Sequence, residues 1–215
     1  MVNNHSNKDH NHRTMVISYL SLRRAIGILG IAFPIVMAAG YWIAGGEGIR
    51  SSISSYYHTG MRDLFVGVLC AVALFLFSYT GYEKRDNIAG DLAAVFALGV
   101  AFFPTSCGLI GRIHLISAAL FFLLLAFYSL VLFTKGHPNP TPQKLKRNRL
   151  FRICGYVILG AMLIMLLYTL VPPFNQALKS LKPVFWLETI ALWAFGISWL
   201  TKGAVLFRDA KAEGG

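Results

Sequence analysis

Residues 113–134 read IHLISAALFFLLLAFYSLVLFT, twenty-two positions without a single Asp, Glu, Lys or Arg. As a helix rising 1.5 Å per residue this stretch is about 33 Å long, enough to cross the roughly 30 Å hydrocarbon core of a bilayer. Five more stretches are mostly apolar and of similar length, at 25–44, 63–82, 88–105, 153–171 and 183–204. Composition agrees: 56% of the chain is hydrophobic and 13% is charged, against roughly 25% charged in soluble domains. The fold class expected is all-α, a polytopic six-transmembrane-helix bundle. It forms one membrane domain over 21–207, between a disordered cytoplasmic tail at 1–20 and a short cytoplasmic tail at 208–215.

The net charge of +11 raises the question of a nucleic-acid partner, and its distribution answers it. With six alternating spans and the N-terminus inside, fifteen of the twenty Lys and Arg fall on the cytoplasmic side and five on the outer side. Short loops are where such a bias sets orientation. The charge therefore reports topology and anionic headgroups, placing both termini in the cytoplasm of a cell (inner) membrane. Membrane lipids are the expected partners, nucleic acid is excluded, and self-association as a homo-oligomer is left open. The first apolar run is about twenty residues, longer than a signal-peptide core of roughly 7–15, so it reads as a retained helix. Cys70, Cys107 and Cys154 have no metal-ligand or disulfide spacing. In the N-terminal segment, His5, His10 and His12 read as part of a solvated tail, with loose metal binding as the alternative.

Ala89, Ala93, Ala97 and Ala101 repeat at intervals of four, with Gly90 and Ala94 beside them. Small residues at that spacing let helix backbones approach closely in lipid, which predicts a central third helix. At the inner side, Asp91 and Lys202 are expected to form a structural ion pair that removes two burial costs together.

The polar exception is SSISSYYHTGMRDLF, residues 51–65. The topology gathers it with Arg112, His114 and Glu188 at the outer ends of the spans. A carboxylate inside a span costs about 2–3 kcal/mol or more unless paired, so Glu188 calls for a partner, and His58, His114, Arg62 and Arg112 are at hand. If 51–62 is helical, Ser54 and His58 share a face. Ordinary readings stand beside these: loop hydroxyls, interfacial histidines and aromatics, and Asp63 as an N-cap.

Ser54-x-x-x-His58, followed by Asp63, resembles the superfamily of alkaline ceramidases, progestin/adiponectin-type receptors and hemolysin III proteins. That resemblance implies a metal-dependent transmembrane hydrolase in which zinc activates water. Carried onto this chain it gives His58, His114 and Glu188 as metal ligands. Asp63 becomes a proton shuttle or fourth ligand, and Ser54 orients the bound water. The superfamily has seven spans and a His-x-x-x-His in the last; here six are read and ETIALWAFGISWLTKG, 188–203, holds no histidine. The segments 52–67 and 188–203 are also similar to a bacterial six-span membrane family.

Three functions follow as expectations. One is a carrier or receptor whose outer pocket binds a lipid headgroup or small anion through Arg62, Arg112 and Tyr57. Another is the zinc-dependent lipid hydrolase or transferase. The last is a structural or assembly subunit whose polar cluster ties loops to helix ends.

Overall fold

The computed structural model describes residues 3–81, 83–136 and 140–206. Seven α-helices and no strand occur among them: α1 (Asn3–Ile43), α2 (Arg62–Phe77), α3 (Lys84–Phe102), α4 (Gly108–Phe127), α5 (Pro142–Leu170), α6 (Pro172–Leu178) and α7 (Pro183–Lys202). α4 continues as a π-helical segment, Tyr128–Leu132, and a 3-10 turn, Ser54–His58, stands between α1 and α2. Among the described residues, four helical stretches are long and apolar enough to cross a membrane: Tyr19–Ile43, Gly108–Leu132, Pro142–Leu170 and Pro183–Lys202. They mark the chain as a membrane protein. Many large apolar side chains on these helices point outward, among them Leu115, Ile116, Leu163, Leu166 and Leu170, as lipid-facing surfaces require.

Six of the helices close a ring in chain order. α1 packs on α2, α2 on α3, α3 on α4, α4 on α5, α5 on α7, and α7 returns to α1. The ring corrects the expectation of a central third helix. The alanine stripe is buried as anticipated, at Ala89, Ala93, Ala97 and Ala101, but only α2 and α4 pack extensively on α3. Its other face, with Ile88, Leu92 and Val95, is exposed. Of the four candidate spans, α7 is the most enclosed.

The tail at 1–20 also differs from expectation. α1 begins at Asn3, so the backbone there is helical; the side chains of His5, His10 and His12, and the tail at 208–215, lie outside the described residues. Cys70, Cys107 and Cys154 are free thiols.

α1 and α7 meet where neither carries a side chain. A Cβ on Gly196 would stand 2.6 Å from the Gly27 carbonyl oxygen and 2.6 Å from Ile31, and one on Gly27 would stand 2.8 Å from the Gly196 carbonyl oxygen. Backbone cannot yield as a flexible side-chain end can. Gly196→Ala is therefore expected to lower stability by about 1–3 kcal/mol. Gly67→Ala, which meets nothing within 4 Å, should change it by less than about 0.5 kcal/mol. Thermal unfolding in detergent checks the pair, and equal effects would contradict this packing.

Candidate functional site

The serine-rich stretch folds inward over one mouth of the ring. Ile53, Ser54, Tyr56 and Met61 are buried, and the Tyr56 ring sits edge-on between Tyr41, 5.5 Å away, and Phe185, 6.4 Å away. Most of its hydroxyls serve the backbone. Ser55 Oγ donates to the Ser52 carbonyl at 2.6 Å, Ser52 Oγ accepts from the Ser55 N–H at 3.0 Å, and Thr59 Oγ1 donates to the Tyr56 carbonyl at 2.7 Å. Such local bonds are why Ser and Thr favour turns over helix interiors. Burial pushes the Tyr56 phenol above its ordinary pKa, opposed by the hydrogen bond from the Arg50 N–H.

Three ties bind this stretch to the start of α7, and their spacing is regular. Lys182 Nζ donates to the Ile49 carbonyl, the Phe185 N–H donates to the Ser51 carbonyl at 3.1 Å, and the Ile53 N–H donates to Glu188 Oε2 at 2.5 Å. Every third residue from the α7 N-cap onward thus meets every second residue of the segment 49–53. The Ser54 N–H faces the same carboxylate. Ile53 is the N-cap of the 3-10 turn and supplies no side-chain cap of its own. Glu188 provides the missing acceptor from the neighbouring α7, at an N–H of the kind that every helix start leaves open.

Beside the carboxylate lies a cavity of about 30 Å³, lined by Phe33, Ser54, Phe65, Phe122, Glu188 and Leu192 among others. At roughly 10–15 Å³ per water centre it has room for about two waters. Its lining includes neither Arg62, Arg112 nor Tyr57.

The structure does not bring the expected metal ligands together. His58 is exposed and its Nε2 pairs with the Thr105 carbonyl at 2.7 Å; His114 is buried with Nδ1 against the Phe103 carbonyl at 2.6 Å. Among the described residues no three His, Cys, Asp or Glu side chains form a group able to hold a metal. Each histidine spends a ring nitrogen on the α3–α4 connection, and Glu188 spends a carboxyl oxygen on the turn. Ser54 and His58 part company because their backbone is a 3-10 turn. At three residues per turn, positions four apart lie about 120° around the axis, so Ser54 faces inward while His58 faces out. Asp63 is exposed in the first turn of α2 and is not its N-cap, which is Met61. Arg62 stays on the surface, donating to the Tyr57 hydroxyl at 3.0 Å with its guanidinium 4.8 Å above that ring, and Arg112 is exposed on α4.

At the opposite mouth the expected Asp91–Lys202 pair is absent. Asp91 is exposed, two positions past Ala89 and so about 200° around the helix from the buried stripe. Lys135 Nζ instead pairs there with Glu83 at 2.9 Å and with Asp86 at 3.2 Å. Asp86 is 3% exposed. The hydrogen bond with Glu83 raises the Lys135 pKa above its usual value, with Asp86 adding to it. Sequence reasoning passed over Asp86, although Glu83 and Asp86 have the spacing of a capping box and form one at the start of α3. Behind them Trp199 fills the ring, with Tyr79, Phe133 and Tyr128 centroids 5.0, 5.2 and 5.4 Å away.

Removing the Glu188 carboxylate strands the buried Ile53 N–H, a donor worth about 1–3 kcal/mol when left unsatisfied. Glu188→Ala is expected to lose about 1–3 kcal/mol, and Glu188→Gln, which keeps one acceptor oxygen, about half as much. Chemical or thermal unfolding in detergent measures both, and a neutral Glu188→Ala would refute the tie.

Compared with family models, with curated proteins and with solved structures, the chain matches none.

Proposed function

We propose that this chain is a six-span membrane protein whose polar outer face works as a structural clasp, the role of a structural or assembly subunit rather than of a hydrolase. The observation carrying this reading is the 2.5 Å contact between Glu188 Oε2 and the Ile53 N–H. The acid most suggestive of chemistry has a carboxyl oxygen committed to the backbone of the stretch it was expected to serve. The remaining polar groups follow suit, since His58 and His114 each hold a carbonyl of the α3–α4 connection.

Six crossings are supported by the ring itself. α2 and α3 are shorter or more polar than the four apolar spans, yet each packs between ring neighbours, and chain direction alternates around the ring. The charge bias then puts both termini in the cytoplasm of the inner membrane. Under this reading the resemblance to transmembrane hydrolases does not extend to a zinc centre built from His58, His114 and Glu188.

The cavity beside Glu188 favours a second reading, a carrier or receptor. Its lining of apolar groups around one carboxylate suits a small neutral or cationic molecule that donates a hydrogen bond. It does not suit an anion.

Labelling with a membrane-impermeant maleimide tests the topology. From outside intact cells, Cys107 should react and a cysteine placed by Arg85→Cys should not, until the membrane is opened. Reaction of both would mean that α2 and α3 do not cross as a pair. The two functional readings separate through Glu188→Ala. The clasp requires that the variant accumulate in the membrane to a lower level than the native chain and melt at a lower temperature. A variant that accumulates and melts normally but loses a cellular phenotype contradicts the clasp and favours the pocket.

A further inference from the structure

The cavity beside Glu188 lies where the clasp leaves polar capacity unspent. An ionised carboxylate offers about four lone-pair sites. The turn uses one oxygen through the Ile53 N–H, and the Ser54 N–H faces the same group. Among the described residues no Lys, Arg or His forms an ion pair with Glu188. Lys182 Nζ is held by the Ile49 carbonyl, and His58 and His114 by those of Thr105 and Phe103. Ser54 adds an independent sign. It is buried, it lines the same cavity, and its hydroxyl has no hydrogen-bond partner among the described residues. The neighbouring Ser52, Ser55 and Thr59 hydroxyls are all bonded to backbone.

The rest of the lining is apolar and largely aromatic, with Phe33, Phe65, Phe121 and Phe122 beside Ala118 and Leu192. An acid, a free hydroxyl and aromatic walls select among occupants. An anion is repelled by the carboxylate. A hard metal ion such as Ca²⁺ takes about 6–8 oxygens, more than one carboxyl and one hydroxyl provide. A small ammonium ion suits each part of the lining. Its N–H groups donate to the carboxyl and to Ser54 Oγ, and aromatic rings attract its charge where water is excluded. Volume sets the size. A cavity of about 30 Å³, with room for about two water-sized centres, admits ammonium or methylammonium and excludes a quaternary amine.

We propose that this cavity binds a small ammonium ion, ammonium itself or methylammonium, between the Glu188 carboxyl and the Ser54 hydroxyl. Amine and carboxyl share one proton in the bound pair, so the same complex forms from ammonium and carboxylate or from free amine and carboxylic acid. The site rests on reading the cavity as a ligand pocket and names the ligand class. It is compatible with the clasp, because the Ile53 N–H and the amine take different lone pairs of one carboxyl.

Thermal unfolding of the purified full chain in a neutral detergent tests it, at fixed pH and ionic strength, with sodium chloride replaced stepwise by ammonium, methylammonium or tetramethylammonium chloride. The expected result is a saturable rise in Tm with ammonium or methylammonium and none with tetramethylammonium. Glu188→Gln should raise the half-saturating concentration about tenfold or more, and Ser54→Ala about threefold. Gly67→Ala, outside the lining, should leave it unchanged. If Glu188→Gln does not fold, Ala118→Leu carries the comparison: it fills the cavity with the carboxyl still in place and should abolish the rise. A saturable rise with methanol but not with methylammonium overturns the amine assignment and leaves the pocket. No saturable rise with any of them overturns both, as does a methylammonium response that Ala118→Leu leaves intact. A native chain that responds to methylammonium while Glu188→Ala melts normally upholds the site and removes the clasp.

Discussion

A carboxylate on the last helix holds the N–H groups of a turn that precedes it by 135 residues, and the order of the ring depends on that hold. Helices packed only by apolar contact in lipid slide with little resistance, because lipid tails are as apolar as the side chains they replace. Directional bonds set register where packing does not. Glu188, Phe185 and Lys182 read the segment 49–53 at alternate residues, so the segment seats against α7 in one register. With the segment seated, Tyr56 is driven between Tyr41 and Phe185, and the first and last helices of the ring are linked at that mouth.

The two mouths solve closure differently. One is covered by a turn of polar residues whose hydrogen bonds are turned on their own backbone, over a cavity of about 30 Å³. The other is filled by Trp199 and its aromatic neighbours, with the Ser129 and Ser198 hydroxyls bonded at 2.9 Å between α4 and α7. The π-helical segment contributes there. Tyr128, Ser129 and Leu132 are all buried, and the wider turn lets Tyr128 reach the Asp86 carbonyl at 3.1 Å. Cations then collect around this plug at the helix ends.

Hydropathy made the helical, membrane-crossing character legible, because the bilayer demands about twenty apolar residues in a row. The burial of the alanine stripe was legible for a similar reason. Its consequence for Asp91 was legible too: a residue two positions past a buried alanine faces away, while Asp86, three positions before Ala89, faces in. Other features left little trace in the residues. Glu188 is bound by the N–H of Ile53, which any non-proline residue would supply, so the histidines looked like its partners only because side chains are what a sequence displays. Ser54 and His58 fit an α-helical face at intervals of four, and only the tighter 3-10 geometry separates them. Nor does hydropathy say whether five helices surround the sixth or all six close a ring.

Amide hydrogen exchange at Ile53 and Ser54 tests the central claim most directly. If Glu188 holds these donors, both amides exchange slowly in the native chain, at rates like those inside α7. In Glu188→Ala they should exchange as an open loop does, while the amides of α4 keep their protection. Loop-like exchange at Ile53 and Ser54 in the native chain would contradict the account, because the turn would then be seated by something other than this carboxylate.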